Sequence, residues 1–248
     1  MQKYFDVSYI WGSIPILLPY LKITFLVTIL TLFFGTIIGF LLTMAKLSKN
    51  SIVRSLANSY ITILRCTPTI VLLFLVYYGI PAVGIQFGLY LNDLNVMVFV
   101  VIALSLQFSA IMSEVIRSAY QSVDNGQFEA AVSVGLSNVQ AYRRIVFPQA
   151  FVVALPNLGN GVLALLQEGA LAYTIGLIDI VGKANLMISE NYNSHTLEVF
   201  LGLAVIYWIL SIIIEKCTLK LEQRFRNEKH SLKYKAGIIR SVKKWVKV

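Results

Sequence analysis

Five long apolar segments dominate this sequence, at approximately Leu21–Ala45, Leu56–Ile80, Leu94–Ile116, Ile145–Ile175 and Leu197–Ile214. A helix crosses a hydrocarbon layer in roughly 20 mostly apolar residues, so each segment is a candidate membrane span. Only 13% of the residues are charged, and the mean hydropathy is +0.74. A soluble domain is nearer one-quarter charged, so this chain has more apolar surface than one water-soluble core can hide. Spans and short connections use nearly all of the 248 residues, which leaves no length for a large soluble domain. The start, Met1 to Trp11, lacks a basic stretch and a cleavage site, and no removable signal is expected.

The charge is +9, but its placement argues against nucleic acid. Eleven of the 21 Lys and Arg residues fall between Lys216 and Val248, directly after the last apolar segment. Such residues are expected on the cytoplasmic side, against anionic lipid. The first connection holds Lys46, Lys49 and Arg54, the second (81–93) has no Lys or Arg, and the third holds Arg117, Arg143 and Arg144. The fourth holds Lys183 beside Asp179, Glu190 and Glu198. This alternation places connections one and three and the tail in the cytoplasm, and the N-terminus, with Lys3, outside. An odd number of spans is then required, and five satisfies it. Trp11, Tyr20, Tyr90, Tyr192 and Trp208 fall near the proposed interfaces as anchors.

Several functions are excluded by what the spans lack. The two histidines, His195 and His230, lie outside the spans on opposite sides, so no catalytic or metal cluster is expected there. Cys66 and Cys217 are far apart and have no metal spacing. No Gly-rich loop ending in Gly-Lys-Ser/Thr is present, so any ATP must be bound by another chain. No inverted repeat is visible, which weakens a single-chain carrier.

The third connection, 121–148, is the most informative stretch. Asp124-Asn125-Gly126 forms a turn, and Asp124 and Gln127 have capping-box spacing. Phe128, Ala131 and Val132 then give a short amphipathic helix. Gly135 requires either a helix C-terminus or the close approach of another backbone. Arg143 and Arg144 lead to Pro148, where the next span begins. This is a helical projection that either lies on the membrane surface or docks a cytoplasmic partner.

Glu129-Ala130-Ala131, Gly135, Ile145 and Phe147-Pro148 together resemble the EAA loop of bacterial ABC importer permeases. Arg65-Cys66-Thr67-Pro68, Gln121-Ser122-Val123-Asp124, Pro148-Gln149-Ala150 and Leu155-Pro156-Asn157-Leu158-Gly159-Asn160 are similar to the polar amino acid subfamily, with Cys66 and Phe147 as departures. The resemblance implies an all-α membrane protein of the type I ABC importer permease fold, with five transmembrane helices and a cytoplasmic coupling helix. It implies one permease domain, 1–222, followed by a basic cytoplasmic tail, 223–248. It also implies a cytoplasmic ABC ATPase dimer, a second permease subunit, an extracytoplasmic binding protein and the bacterial inner membrane as partners and setting. The permease itself would be non-catalytic and free of cofactors, with Glu129, Ala130, Ala131, Gly135, Ile145 and Pro148 coupling it to the ATPase.

Polar groups inside spans are candidates for a substrate pathway. Arg65, Thr67, Thr69, Gln107, Gln167 and Glu168 are those candidates, each with interhelical packing as the alternative. Arg65, about 15 Å into span two at 1.5 Å per residue, is expected to pair with Glu114, or Glu114 with Arg117. The fourth segment carries Pro148, Pro156, Gly159 and Gly161 and is expected to face the protein interior. Gln167-Glu168-Gly169-Ala170-Leu171, followed by Tyr173 to Asp179, resembles permeases for sulfur amino acids, cystine in particular. Glutamine, arginine or histidine remain alternative substrates, and an ion-coupled carrier the alternative mechanism.

Overall fold

The computed structural model describes residues 5–245, with side chains as far as Phe225. Lys3, His230 and the basic side chains beyond Phe225, on which part of the charge reading rests, lie outside the described residues. The helices are α1 (Val7–Leu17), α2 (Leu21–Lys46), α3 (Ser51–Cys66), α4 (Thr69–Gln86), α5 (Val96–Gln121), α6 (Asn125–Ser133), α7 (Asn138–Ala141), α8 (Phe147–Gly169), α9 (Ile180–Glu190) and α10 (Thr196–Trp245). A π turn, Tyr142–Val146, leads into α8, and 3-10 turns occupy Leu18–Tyr20 and Ala170–Ile175.

Among the described residues five stretches are long and apolar enough to cross a membrane: Val7–Lys46, Thr69–Gln86, Val96–Gln121, Asn138–Ile175 and Thr196–Phe225. The expected five spans are therefore present, but two expectations change. The second segment is not one helix, because it breaks at Thr67 and Pro68. Proline lacks an N–H and pushes the preceding residue out of the helical region; Thr67 accordingly has φ −87° and ψ 123°. The fourth span, expected to face the protein interior for much of its length, is mostly uncovered within this single chain. In α5, 67% of the apolar window is buried, against 33% in the fourth span.

Met1–Arg117 and Asn160–Ile212 make one compact unit. Its organising seam is α2 against α5. Thr31, Gly35, Gly39 and Thr43 recur every four residues and are all buried, so they form one small-residue face. A Cβ on Gly35 would meet Phe108 Cδ1 at 2.8 Å, and one on Gly39 would meet the Ser109 carbonyl oxygen at 3.0 Å. Thr43 Oγ1 donates across the seam to the Ser113 carbonyl, 3.0 Å away. At the end of the seam Glu114 pairs with Lys46, and Arg117 Nη2 lies 2.7 Å from its second oxygen. Glu114 thus has the expected Arg117 partner, and Lys46 takes the place proposed for Arg65.

A second cluster in this unit buries Leu17 with Ile180, Val181, Ala184, Met187 and Ile188 of α9 and with Val199, Leu203 and Ile206 of α10. Asp179, 2% exposed, caps α9. Its Oδ1 accepts from the N–H groups of Val181 and Gly182 at 3.0 and 2.9 Å, and its Oδ2 accepts from Thr24 Oγ1 of α2 at 3.2 Å. Burial pushes this carboxyl above its ordinary value, although these hydrogen bonds pull the other way. A raised folded-state pKa contributes stability below the unfolded value near 4 and loses it as the pH rises through the folded value. At neutral pH the charge therefore opposes the fold while the geometry supports it. Asp179→Asn is expected to hold or raise the melting temperature in detergent at pH 7–8, and Asp179→Ala to lower it. Loss of the cap costs about 1 kcal/mol, worth roughly 2–4 °C in a chain of this size. An Asn variant melting below the Ala variant would contradict this account.

Candidate functional site

Ser118–Gly159 and Ile213–Val248 make the second unit, which holds the projection expected from the sequence. Asp124 caps α6, but its Oδ1 accepts from Gly126 N–H at 2.8 Å rather than from the residue three positions on. The reciprocal capping box forms one helix later. Ser137 Oγ accepts from Gln140 N–H, and Gln140 Oε1 accepts from Ser137 N–H. Gly135 ends α6 with φ +91°, and nothing lies within 4 Å of a Cβ added there. Of the two reasons the sequence allowed for this glycine, the helix C-terminus applies within this chain. The Gly135 and Leu136 N–H groups donate back to the carbonyls of Val132 and Ala131 at 2.9 and 3.2 Å.

The six coupling candidates do not share one exposure. Glu129, Ala130, Gly135 and Pro148 are exposed, Ile145 is half-buried, and Ala131 is buried beneath α6. Three apolar side chains on the projection are exposed: Val132, which the sequence placed on the apolar stripe, and Val134 and Val139, which it did not single out. A loop with this much uncovered apolar surface has the composition of a docking surface. Behind it, Tyr142 packs on Phe128 in a tilted arrangement with ring centres 4.8 Å apart. A cavity of about 130 Å³ opens there, lined by Tyr120, Asp124, Phe128, Glu129, Tyr142 and Val146 among others.

The pathway candidates belong to the first unit, around the break in the second segment. α3 packs by Ala57, Ile61 and Leu64. Its other face carries Ser55, Asn58, Ser59, Thr62, Arg65 and Cys66, all exposed, at three- and four-residue spacing. Arg65 therefore tops a polar stripe instead of sitting within an apolar span. Tyr60 reaches from α3 to Ser109 Oγ, 3.1 Å away, which holds α3 against α5. At the break, Gln107 Nε2 donates to the Thr67 carbonyl at 3.5 Å. Gln107 is only 8% exposed, and its Oε1 is buried without a partner. α4 begins at Thr69 behind Pro68, with no side-chain cap, and its first helical bond runs from Leu72 N–H to the Pro68 carbonyl. Its first N–H groups are the unfilled donors of a helix N-terminus. Gln167 is exposed and Glu168 half-buried at the end of α8, just before the 3-10 turn that packs on α4. The break thus joins Thr67, Thr69 and Gln107, with Arg65 two residues away. Among the described residues no hydrogen bond or ion pair joins them to Gln167 or Glu168.

Residues 32–227 match the family described as binding-protein-dependent transport system inner membrane component. The chain belongs to that family. The permease is 39% identical over 215 residues to the L-cystine transport system permease protein TcyL of Bacillus subtilis (strain 168), covering 87% of this chain and 89% of that protein. It is 36% identical over 220 residues to the nopaline transport system permease protein NocM of Agrobacterium fabrum, covering 88% and 90%. Among solved structures, it is similar to an amino acid ABC transporter crystallised with histidines (TM-score 0.75, 31% identity, 89% of this chain and 99% of that one). The chain is thus a multi-pass inner-membrane permease of an ABC amino acid importer and is not itself an enzyme. A binding-protein-dependent ABC system also requires an ATPase and a binding protein as partners.

Proposed function

We propose that this permease takes up a polar amino acid, L-cystine foremost, as one of a pair of membrane subunits driven by an ATPase dimer. The observation that carries the substrate reading is Gln107, whose amide nitrogen donates to the carbonyl at a break in a membrane helix and whose oxygen is buried without a partner. Discontinuous helices in transporters direct half-helix N-termini at anionic substrate groups and leave backbone carbonyls for cations. Here the N-terminus of α4 and Arg65 would receive the carboxylate, and Gln107 Oε1 and the Thr67 carbonyl would receive the ammonium. Thr69, Gln167 and Glu168 complete the polar lining on this reading. Cystine ranks first because of the 39% identity to TcyL over nearly the whole chain.

On the cytoplasmic side Glu129, Ala130, Gly135 and Pro148 would present the projection to the ATPase, while buried Ala131 and half-buried Ile145 hold it in place. The basic first and third connections support a cytoplasmic C-terminus and an external N-terminus.

Uptake of labelled L-cystine by the reconstituted complex, competed with a panel of amino acids, tests the substrate. Cystine should compete most strongly; failure of cystine to inhibit removes that assignment. Gln107→Leu should reduce kcat/KM for the transported amino acid about 10- to 100-fold, the effect of losing one buried hydrogen bond to a charged group. Unchanged kinetics in a folded Gln107→Leu transporter would remove the break from the pathway.

A further inference from the structure

The π turn before α8 contributes only the half-buried Ile145 to the docking reading, yet it is a costly feature. It adds one residue to a helical path and weakens the local hydrogen bonding, and such turns concentrate at functional positions. An extra residue rotates what precedes it by about 100° relative to the helix that follows. In this chain that rotation positions Tyr142, the first residue of the turn.

Tyr142 meets three rings from three elements of the second unit. Phe128 of α6 lies 4.8 Å from it between ring centres, Phe147 at the start of α8 lies 5.9 Å away, and Tyr120 near the end of α5 lies 6.4 Å away. The Tyr120 and Tyr142 hydroxyls are 3.5 Å apart. Ala141, the residue before it, is fully buried. The 130 Å³ cavity beside these rings leaves room for α6 to shift without unpacking them.

We infer that Tyr142 is the positioning residue that carries a displacement of α6 into the adjoining ends of α5 and α8, with the π turn as the compliant joint. The inference rests on the reading of α6 as the ATPase-docking helix and adds how motion leaves that helix. Aromatic pairs favour a few offset or tilted geometries, so a shift of Phe128 drags Tyr142 with it. An aliphatic side chain at 142 would fill the space but let the helices slip.

The test uses the intact reconstituted transporter and reads amino acid uptake per ATP hydrolysed. Tyr142→Phe should stay within about twofold of the unaltered complex, and Tyr142→Leu should lose about tenfold in that ratio, within the usual range of coupling between sites. The ATPase should co-purify with both variants. A Tyr142→Leu complex with an unchanged ratio overturns the inference, and so does loss of the ATPase from it, since the hub would then only hold α6 folded. If Tyr142→Leu does not accumulate, Phe128→Leu breaks the same contact from the α6 side and should give the same loss; an unchanged ratio there overturns the inference too. Crosslinking of an Ala130→Cys permease to the ATPase separates the two readings. No crosslink removes the docking reading, whereas a crosslink together with an unchanged ratio in Tyr142→Leu removes only the hub.

Discussion

Gly135→Val is expected to leave the permease in the membrane at normal abundance and to reduce uptake by tenfold or more. The reason is conformational. Gly135 has φ +91°, and no neighbour lies within 4 Å of an added Cβ, so no clash within the chain is involved. A non-glycine residue in the left-handed region costs about 1–2 kcal/mol, and a β-branched one is the worst tolerated. The turn relieves that cost by losing the two backward bonds to Ala131 and Val132, and α6 then no longer turns sharply into α7. Gly135→Asn, which tolerates the left-handed region, should retain most activity. Gly135→Asp separates strain from charge: Asp is also tolerated there, so an additional loss in that variant reports a negative charge at the docking surface. Uptake and ATPase rates of the three variants in proteoliposomes decide the matter, and normal uptake by the valine variant would sink the coupling role of this turn.

Gly39→Leu is expected to prevent recovery of folded permease. A Cβ at this position already meets the Ser109 carbonyl oxygen and Met112 Cβ, each at 3.0 Å, and a leucine must push α2 away from α5. Overpacking of this kind costs about 1–3 kcal/mol and sometimes more. Separation would also weaken the Thr43–Ser113 hydrogen bond and the Lys46–Glu114 ion pair on the same seam. Gly79→Leu on α4 is the control, because nothing lies within 4 Å of its added Cβ. Size-exclusion profiles and melting curves in detergent should show loss for Gly39→Leu and near-normal behaviour for Gly79→Leu. Equal recovery of the two would contradict close α2–α5 packing.

The candidate site was legible in the sequence only where one local segment encodes it. The projection around α6 was readable because its turn, cap, apolar positions and terminal glycine fall within the 12 residues from Asp124 to Gly135. Even there, the exposure of Val132, Val134 and Val139 and the burial of Ala131 depend on which way the helix faces. Pro68 lies inside the second apolar segment, but hydropathy averages across it, and Leu56–Ile80 therefore read as one span. Arg65 took its expected depth from that reading.

The sequence by itself determined the number of spans, the family-specific loop and the types of residue available to a pathway. Those properties are local, since hydropathy over a window fixes whether a helix enters lipid and turn chemistry fixes where it stops. The tertiary structure decided the partners. It placed Asp179 against Thr24, 155 residues away, Gln107 against the Thr67 carbonyl, 40 away, and Lys46 beside Glu114, 68 away. It also left Gln107 Oε1 unpaired, which no composition or spacing predicts. Contacts at that separation depend on how helices pack face to face. That packing is set by side-chain shape summed over whole seams such as α2 against α5, so no short stretch of sequence encodes it.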